Sequence, residues 1–88
     1  MKVTAIIVNY FTSAFLPKLL HVLNHENQIN EIVIADNSSE SELENFEKDF
    51  HKVHLLTFNE NIGFAAAVNR VVEKYPSDFY LLINPDTL

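Results

Sequence analysis

Ile32-Val33-Ile34-Ala35-Asp36-Asn37-Ser38-Ser39 is the stretch whose reading decides the fold. Four apolar residues in succession leave neither alternating face polar, the mark of a strand covered on both sides. The run then breaks into Asp, Asn and Ser, residues that favour turns and helix starts. Outward from it the same form recurs. Val3-Thr4-Ala5-Ile6-Ile7-Val8 runs into Asn9-Tyr10, and Phe79-Tyr80-Leu81-Leu82-Ile83 runs into Asn84-Pro85-Asp86. Val53 to Phe58 is a fourth candidate strand, followed by Asn59 to Gly63.

Helical patterns fill the intervals. Phe15, Leu16, Leu19, Leu20 and Leu23 recur at helical spacing, with Ser13 as a candidate cap and Pro17 near the start. Ser39-Glu40-Ser41-Glu42 has the spacing of a capping box, Ser38 and Ser39 read as caps, and Lys48 and Lys52 lie near the expected helix end. Leu43, Phe46 and Phe50 make that helix's apolar stripe. After Asn61-Ile62-Gly63, a third helix is expected to bury Ala65, Val68, Val72 and Tyr75 on one face and to close at Lys74 and Pro76. The order is βαβαβαβ, which implies an α/β fold with a parallel sheet and right-handed crossovers, in one unit over residues 1–88.

Composition narrows the function classes. The chain has 88 residues, 48% of them hydrophobic, with seven Phe and three Tyr, so a packed core is expected. Twelve acidic against six basic residues give a charge of -6, which repels a phosphate backbone and excludes nucleic acid as an expected partner. The absence of cysteine removes disulfides and thiolate metal sites and fits a cytoplasmic location. No apolar run approaches the roughly 18 to 20 residues of a spanning helix, so no transmembrane segment is expected.

The single glycine, Gly63, excludes both G-x-G-x-x-G and the P-loop. A phospho-acceptor domain would want an acidic pair after the first strand and an Asp after the third, where Asn9 and Asn59 stand. His21 and His25 have the i, i+4 spacing that can hold zinc, but project roughly 140 to 160° from the leucine stripe at about 100° per residue and have no third ligand. They are expected in solvent. His51 and His54 lack the Ser or carboxylate placement of a triad.

Ligands of open α/β sheets bind beyond the carboxyl ends of the strands. The segments at those ends, IIVNY (6–10), IVIADNSS (32–39), NENIGFAAAVN (59–69) and LLINPDT (81–87), resemble family 2 glycosyltransferases, in particular their rhamnosyltransferase-like branch. The resemblance spans the chain and the opening portion of the family's domain. It implies a GT-A, Rossmann-like nucleotide-binding half with four mainly parallel strands in the order 3-2-1-4 and three helices. It also implies an inverting transfer of a sugar from a nucleoside diphosphate, UDP or dTDP, to a hydroxyl of a saccharide or lipid-linked acceptor. The chain is expected to end after the Asn-Pro-Asp motif, with the acceptor site and general base beyond Leu88. No catalytic residue is therefore expected within it, nor turnover by the chain alone, and any membrane association would be carried by other regions. With that order, two helices cover one face and the third the other, leaving the edge at Phe79 to Ile83 unprotected.

The strand order brings Asn9-Tyr10 beside Asp86 at the crevice between the first and fourth strands. An ionised Asp36 is acceptor-only and suits the N3–H of uracil or thymine; its alternative role is that of a turn residue. Tyr10 would lie against the base or ribose, or simply pack at a strand end. Asn61 lies in the Asn61-Ile62-Gly63 loop, where Gly63 permits an unusual backbone or a close approach and opens a helix whose N–H groups could face phosphate or ribose; helix capping alone is the alternative. By the resemblance, Asn69 is nucleotide-facing, although the Arg many members carry before it is Val68 here, leaving Arg70 as the nearest cation on that helix. Also by the resemblance, Asp86 takes the place of a D-x-D carboxylate binding Mg²⁺ or Mn²⁺ on the diphosphate, with Asn84 replacing the motif's first Asp. A turn opening is the alternative for Pro85-Asp86. Two further readings remain: a non-catalytic nucleotide-binding or interaction module, and a flavodoxin-like domain using Thr12-Ser13 for a phosphate.

Overall fold

A computed structural model of the chain describes residues 1–85. Its elements are β1 (Val3–Asn9), a 3-10 turn (Ser13–Phe15), α1 (Leu16–Asn24), β2 (Glu31–Asp36), α2 (Leu43–Asp49), β3 (Val53–Thr57), α3 (Phe64–Lys74) and β4 (Phe79–Ile83). All three strand pairings are parallel and the order is β3-β2-β1-β4. This is the expected order, and it differs from the flavodoxin-like one, in which β1 would lie between β2 and β3.

The sheet carries a core on each face, because neighbouring residues of a strand point to opposite sides. Ala5, Ile7, Ile32, Ile34 and Val53 pack with Leu16, Leu19, Leu20 and Leu23 of α1 and Leu43 of α2, and Phe46 and Phe50 lean on the same cluster. On the other face Ile6, Val33 and Ala35 meet Ala67 and Val71 of α3. Every residue of β2 is buried. β4 differs: Phe79, Leu81 and Leu82 are exposed, Phe79 by 56%, which corrects its reading as a strand covered on both sides and agrees with the unprotected edge that the 3-2-1-4 order implies. β4 lies at the edge of the sheet and the three helices cover β1, β2 and β3.

Several helix details depart from the sequence reading, and at the starts of α1 and α2 the reason is that residues expected to serve the helix locally bond elsewhere. Ser13 does not cap α1, which begins after a 3-10 turn at Leu16 with Pro17 in its first turn; the Ser13 hydroxyl donates to Glu42 Oε1 at 2.9 Å. That bond removes Glu42 from the capping box. Ser39 adopts a left-handed backbone (φ 61°), and α2 starts at Leu43 through i to i−3 bonds of 3.1–3.3 Å. Phe15 is exposed, outside the leucine stripe. On α3 the buried stripe is Ala67 and Val71, flanked by Val68 and Tyr75, whereas Ala65 and Val72 are exposed. Alanine carries little side-chain bias of its own, and the close approach to Ile6, Val33 and Ala35 selects which alanine turns inward.

A polar cluster closes the opposite end of the sheet. Glu31 Oε1 accepts from Thr4 Oγ1 (2.9 Å) and pairs with Lys2 Nζ (3.1 Å), and its other oxygen lies 3.5 Å from His54 Nε2. The His54 ring packs on Tyr75 at 5.2 Å. Burial pushes the Tyr75 phenol above its ordinary pKa, with smaller contributions from the charges of Glu47 and Glu31.

The two-sided core predicts a sharp contrast between strands. Ile34→Ala removes a fully buried side chain and should cost about 2–5 kcal/mol in urea unfolding. Phe79→Ala, at the exposed edge, should change stability by less than about 1 kcal/mol.

Candidate functional site

The site is built where β1, β2 and β3 end. Asn9 and Asp36 are register partners on neighbouring strands. At 0% and 1% exposure they are buried polar groups that must find partners within the protein. They find each other: Asn9 Nδ2 donates to Asp36 Oδ1 at 3.0 Å. The same amide nitrogen reaches Ser38 Oγ (3.1 Å) and Glu40 Oε1 (3.3 Å), so three acceptors share its two hydrogens. The amide oxygen accepts from Thr12 N (3.2 Å) and Thr12 Oγ1 (2.6 Å), which fixes the orientation of the amide. Asn9 is thus expended on the protein. Its side chain is buried and turned toward β2 rather than into the crevice between β1 and β4.

Asp36 also holds its own turn. Oδ1 accepts from Ser38 N (2.9 Å) and Ser38 Oγ (2.8 Å) besides Asn9, and Oδ2 accepts from Ser39 N at 2.9 Å. Oδ1 is saturated, while Oδ2 takes a single protein donor among the described residues and keeps a lone-pair site. Asp36 lines a cleft of about 220 Å³ with Ser39, Glu40, Glu44, Thr57 and Asn59 among its walls. These walls are rich in acceptors and hydroxyls. Glu42, at the start of α2, has its carboxyl held below its ordinary pKa, first by a backbone hydrogen bond and then by Ser13.

Asn37, which sequence reasoning places at a strand end without a role, connects this turn to the next loop. Its Oδ1 accepts from Ile62 N (3.1 Å) and its Nδ2 donates to Gly63 O (3.3 Å). The Asn61 side chain accepts from Gly63 N at 2.9 Å, a local turn that leads into α3. Gly63 has φ 87° and ψ 170°, a region essentially reserved for glycine, yet nothing lies within 4 Å of where a Cβ would stand. The unusual backbone is therefore present, and among the described residues none makes a close approach.

The remaining expected residues distribute as follows. Tyr10 is 54% exposed beside Phe11, the ring centroids 4.8 Å apart, and its face is open to a ligand. Asn69 is exposed, roughly 160° from both Ala67 and Val71 at about 100° per residue, so it lies on the outer side of α3. The structure does not bring it to Asp36. Arg70 lines a separate cleft of about 410 Å³ with Thr57, Phe58, Glu60 and Lys74. The crevice between β1 and β4 holds about 280 Å³ and is lined by Val8, Phe64, Leu82, Ile83, Asn84 and Pro85. Asp86, the expected metal ligand, lies outside the described residues. Among the described residues no three His, Cys, Asp or Glu side chains converge to hold a metal, and His21 and His25 are exposed. Likewise, no described helix is long and apolar enough to cross a membrane.

Comparison with known proteins gives the family. The family model described as Glycosyl transferase family 2 matches residues 4–88. No curated protein matches the chain. The chain belongs to glycosyl transferase family 2, whose members transfer a sugar from a nucleotide-sugar donor to an acceptor and commonly use a divalent metal.

The Gly63 geometry yields a prediction. Because strain rather than a clash opposes a side chain there, Gly63→Ala should lower stability in urea by about 1–3 kcal/mol, with the far-ultraviolet circular dichroism of the folded protein unchanged.

Proposed function

We propose that the chain is the nucleotide-sugar-binding part of a glycosyltransferase domain, holding a UDP- or dTDP-linked sugar for inverting transfer to a hydroxyl of a saccharide or lipid-linked acceptor. The observation that supports this most is Asp36 Oδ2. It is an ionised acceptor with a lone-pair site remaining, held rigid by Asn9, Ser38 and Ser39, on the wall of a cleft at the carboxyl ends of the strands. An acceptor-only group in that position selects a base edge that carries a donor, as N3–H of uracil or thymine does.

In this reading Tyr10 offers its exposed ring to the base or ribose, and Asn61 and Gly63 set the α3 start toward the ribose or diphosphate. Asp86 takes Mg²⁺ or Mn²⁺, assisted by the neutral oxygen of Asn84. Both are hard oxygen donors of the kind those ions prefer, and the ion would supply charge neutralisation for the departing diphosphate. Asn9 acts by holding Asp36 rather than by touching the donor. The likeness to the rhamnosyltransferase-like branch, carried by the four strand-end segments, favours a deoxysugar such as rhamnose as the group transferred.

Asp36→Asn is the direct test, since it keeps the size of the side chain but presents an N–H donor or a neutral oxygen where the base needs an anionic acceptor. Calorimetric titration with UDP- and dTDP-sugars, in the presence of Mn²⁺, should show affinity reduced roughly 10- to 100-fold, the value of one charged hydrogen bond. Omitting Mn²⁺ should weaken the unsubstituted chain as well. Binding that is unaltered by Asp36→Asn would overturn the base-recognition role.

A further inference from the structure

We propose that Asn37 is a positioning residue: a buried strut that ties the turn carrying Asp36 to the loop that starts α3, so that the two donor-contacting parts of the site are held as one body. The inference rests on the donor-binding reading above for Asp36 and for the Asn61-Ile62-Gly63 loop.

Asn37 follows Asp36 at the end of β2, and the two side chains point to opposite sides. Asp36 faces Asn9 and the 220 Å³ cleft, whereas Asn37, 5% exposed, reaches under the β3–α3 loop. There it meets the chain at two successive residues with complementary chemistry, accepting from Ile62 N and donating to Gly63 O. Its own backbone is fixed as well, since Asn37 N donates to Asn9 O at 2.9 Å. One residue therefore touches the ends of β1 and β2 and the start of α3. The loop it grips has an unusual path at both ends: Asn59 sits in the left-handed region, which costs a residue with a side chain energy, and Gly63 in a region that glycine adopts freely.

Only an amide side chain can make both contacts. A carboxylate at position 37 keeps the acceptor for Ile62 N–H but turns an oxygen toward Gly63 O, replacing a hydrogen bond with a repulsion of two acceptors. Removing only this half of the clamp leaves every partner of the Asp36 carboxylate in place. Base contact should then survive while the contacts made at the α3 start are lost.

The experiment compares uridine with UDP on the full chain and on Asn37→Asp, with thermal unfolding as a check that both are folded. The expected result is an unchanged uridine Kd, within about twofold, and a UDP Kd raised about tenfold. A fold defect alone would weaken both ligands together, and equal loss for both, or no loss for either, would overturn the proposal. Hydrogen exchange on the free proteins separates this inference from the functional reading beneath it. Asn37→Asp and Asn37→Ala should both speed exchange of the Ile62 amide while leaving the Ser39 amide, held by Asp36, protected. If the unsubstituted chain bound neither uridine nor UDP, the nucleotide reading would fail. Faster exchange at Ile62 alone would then still support the strut, and unchanged exchange would contradict it.

Discussion

The contact between Asn9 Nδ2 and Asp36 Oδ1 joins two parallel strands side by side at the point where both stop being strands. A carboxylate that is almost wholly buried is costly unless it is hydrogen-bonded, and here it receives four donor contacts, from Asn9, Ser38 N, Ser38 Oγ and Ser39 N. The arrangement extends outward from that pair. Thr12 is anchored through the Asn9 amide oxygen, which sets the path from β1 toward α1. The backbone carbonyls of the same two residues receive Asn37 N and Phe58 N, at 2.9 and 3.2 Å, so the exits of β2 and β3 are located by the same pair. Three loops thus take their positions from two buried side chains and their carbonyls.

Strain is concentrated in the same region. The residues with positive φ among those described are Phe11, Ser39, Asn59 and Gly63, one after each of β1, β2 and β3 and one at the start of α3. For Phe11, Ser39 and Asn59 a conformation of this kind costs about 1–3 kcal/mol and persists only where the surroundings determine it, whereas Gly63 adopts it without that cost. The surroundings here are the buried middle strands, with Ile6, Ile7, Val33 and Ile34 essentially inaccessible to solvent. The core favours regular strands up to Asn9 and Asp36, and the hydrogen bonds beyond them hold the loops in conformations the isolated chain would avoid. The result is a set of acceptors held in place around the 220 Å³ cleft.

What is legible in the sequence follows from how local each signal is. β1, β2 and α2's Leu43-Phe46-Phe50 stripe announce themselves by periodicity alone, because burial on two faces or on one stripe leaves a repeating mark. Strand order leaves no such mark, and its expectation comes from the likeness of four strand-end segments to family 2 glycosyltransferases. The starts of α1 and α2 mislead because Ser13, Ser39 and Glu42 have the composition of caps. Composition cannot show that Ser13 and Glu42 are 2.9 Å apart across the fold. The buried face of α3 misleads because three consecutive alanines carry almost no pattern. For Asn9 the sequence does not show the bond to Asp36, since a polar residue at a strand end can look inward as well as outward. Asn37 gives no signal of its own, because Asp-Asn is an ordinary turn pair, and only the distances to Ile62 and Gly63 reveal its second connection.

The strand-end loops depend most on the Asn9–Asp36 pair, and a double-mutant cycle in urea measures it directly. Stabilities of the unsubstituted chain, Asn9→Ala, Asp36→Ala and the double variant give the coupling between the two side chains free of their other partners. A hydrogen bond to a buried charge predicts coupling of roughly 1.5–3 kcal/mol, so that the second substitution costs far less once the first is present. Losses that add to within about 0.5 kcal/mol would mean that the two residues act independently, and that the strand-end loops take their positions from something other than this contact.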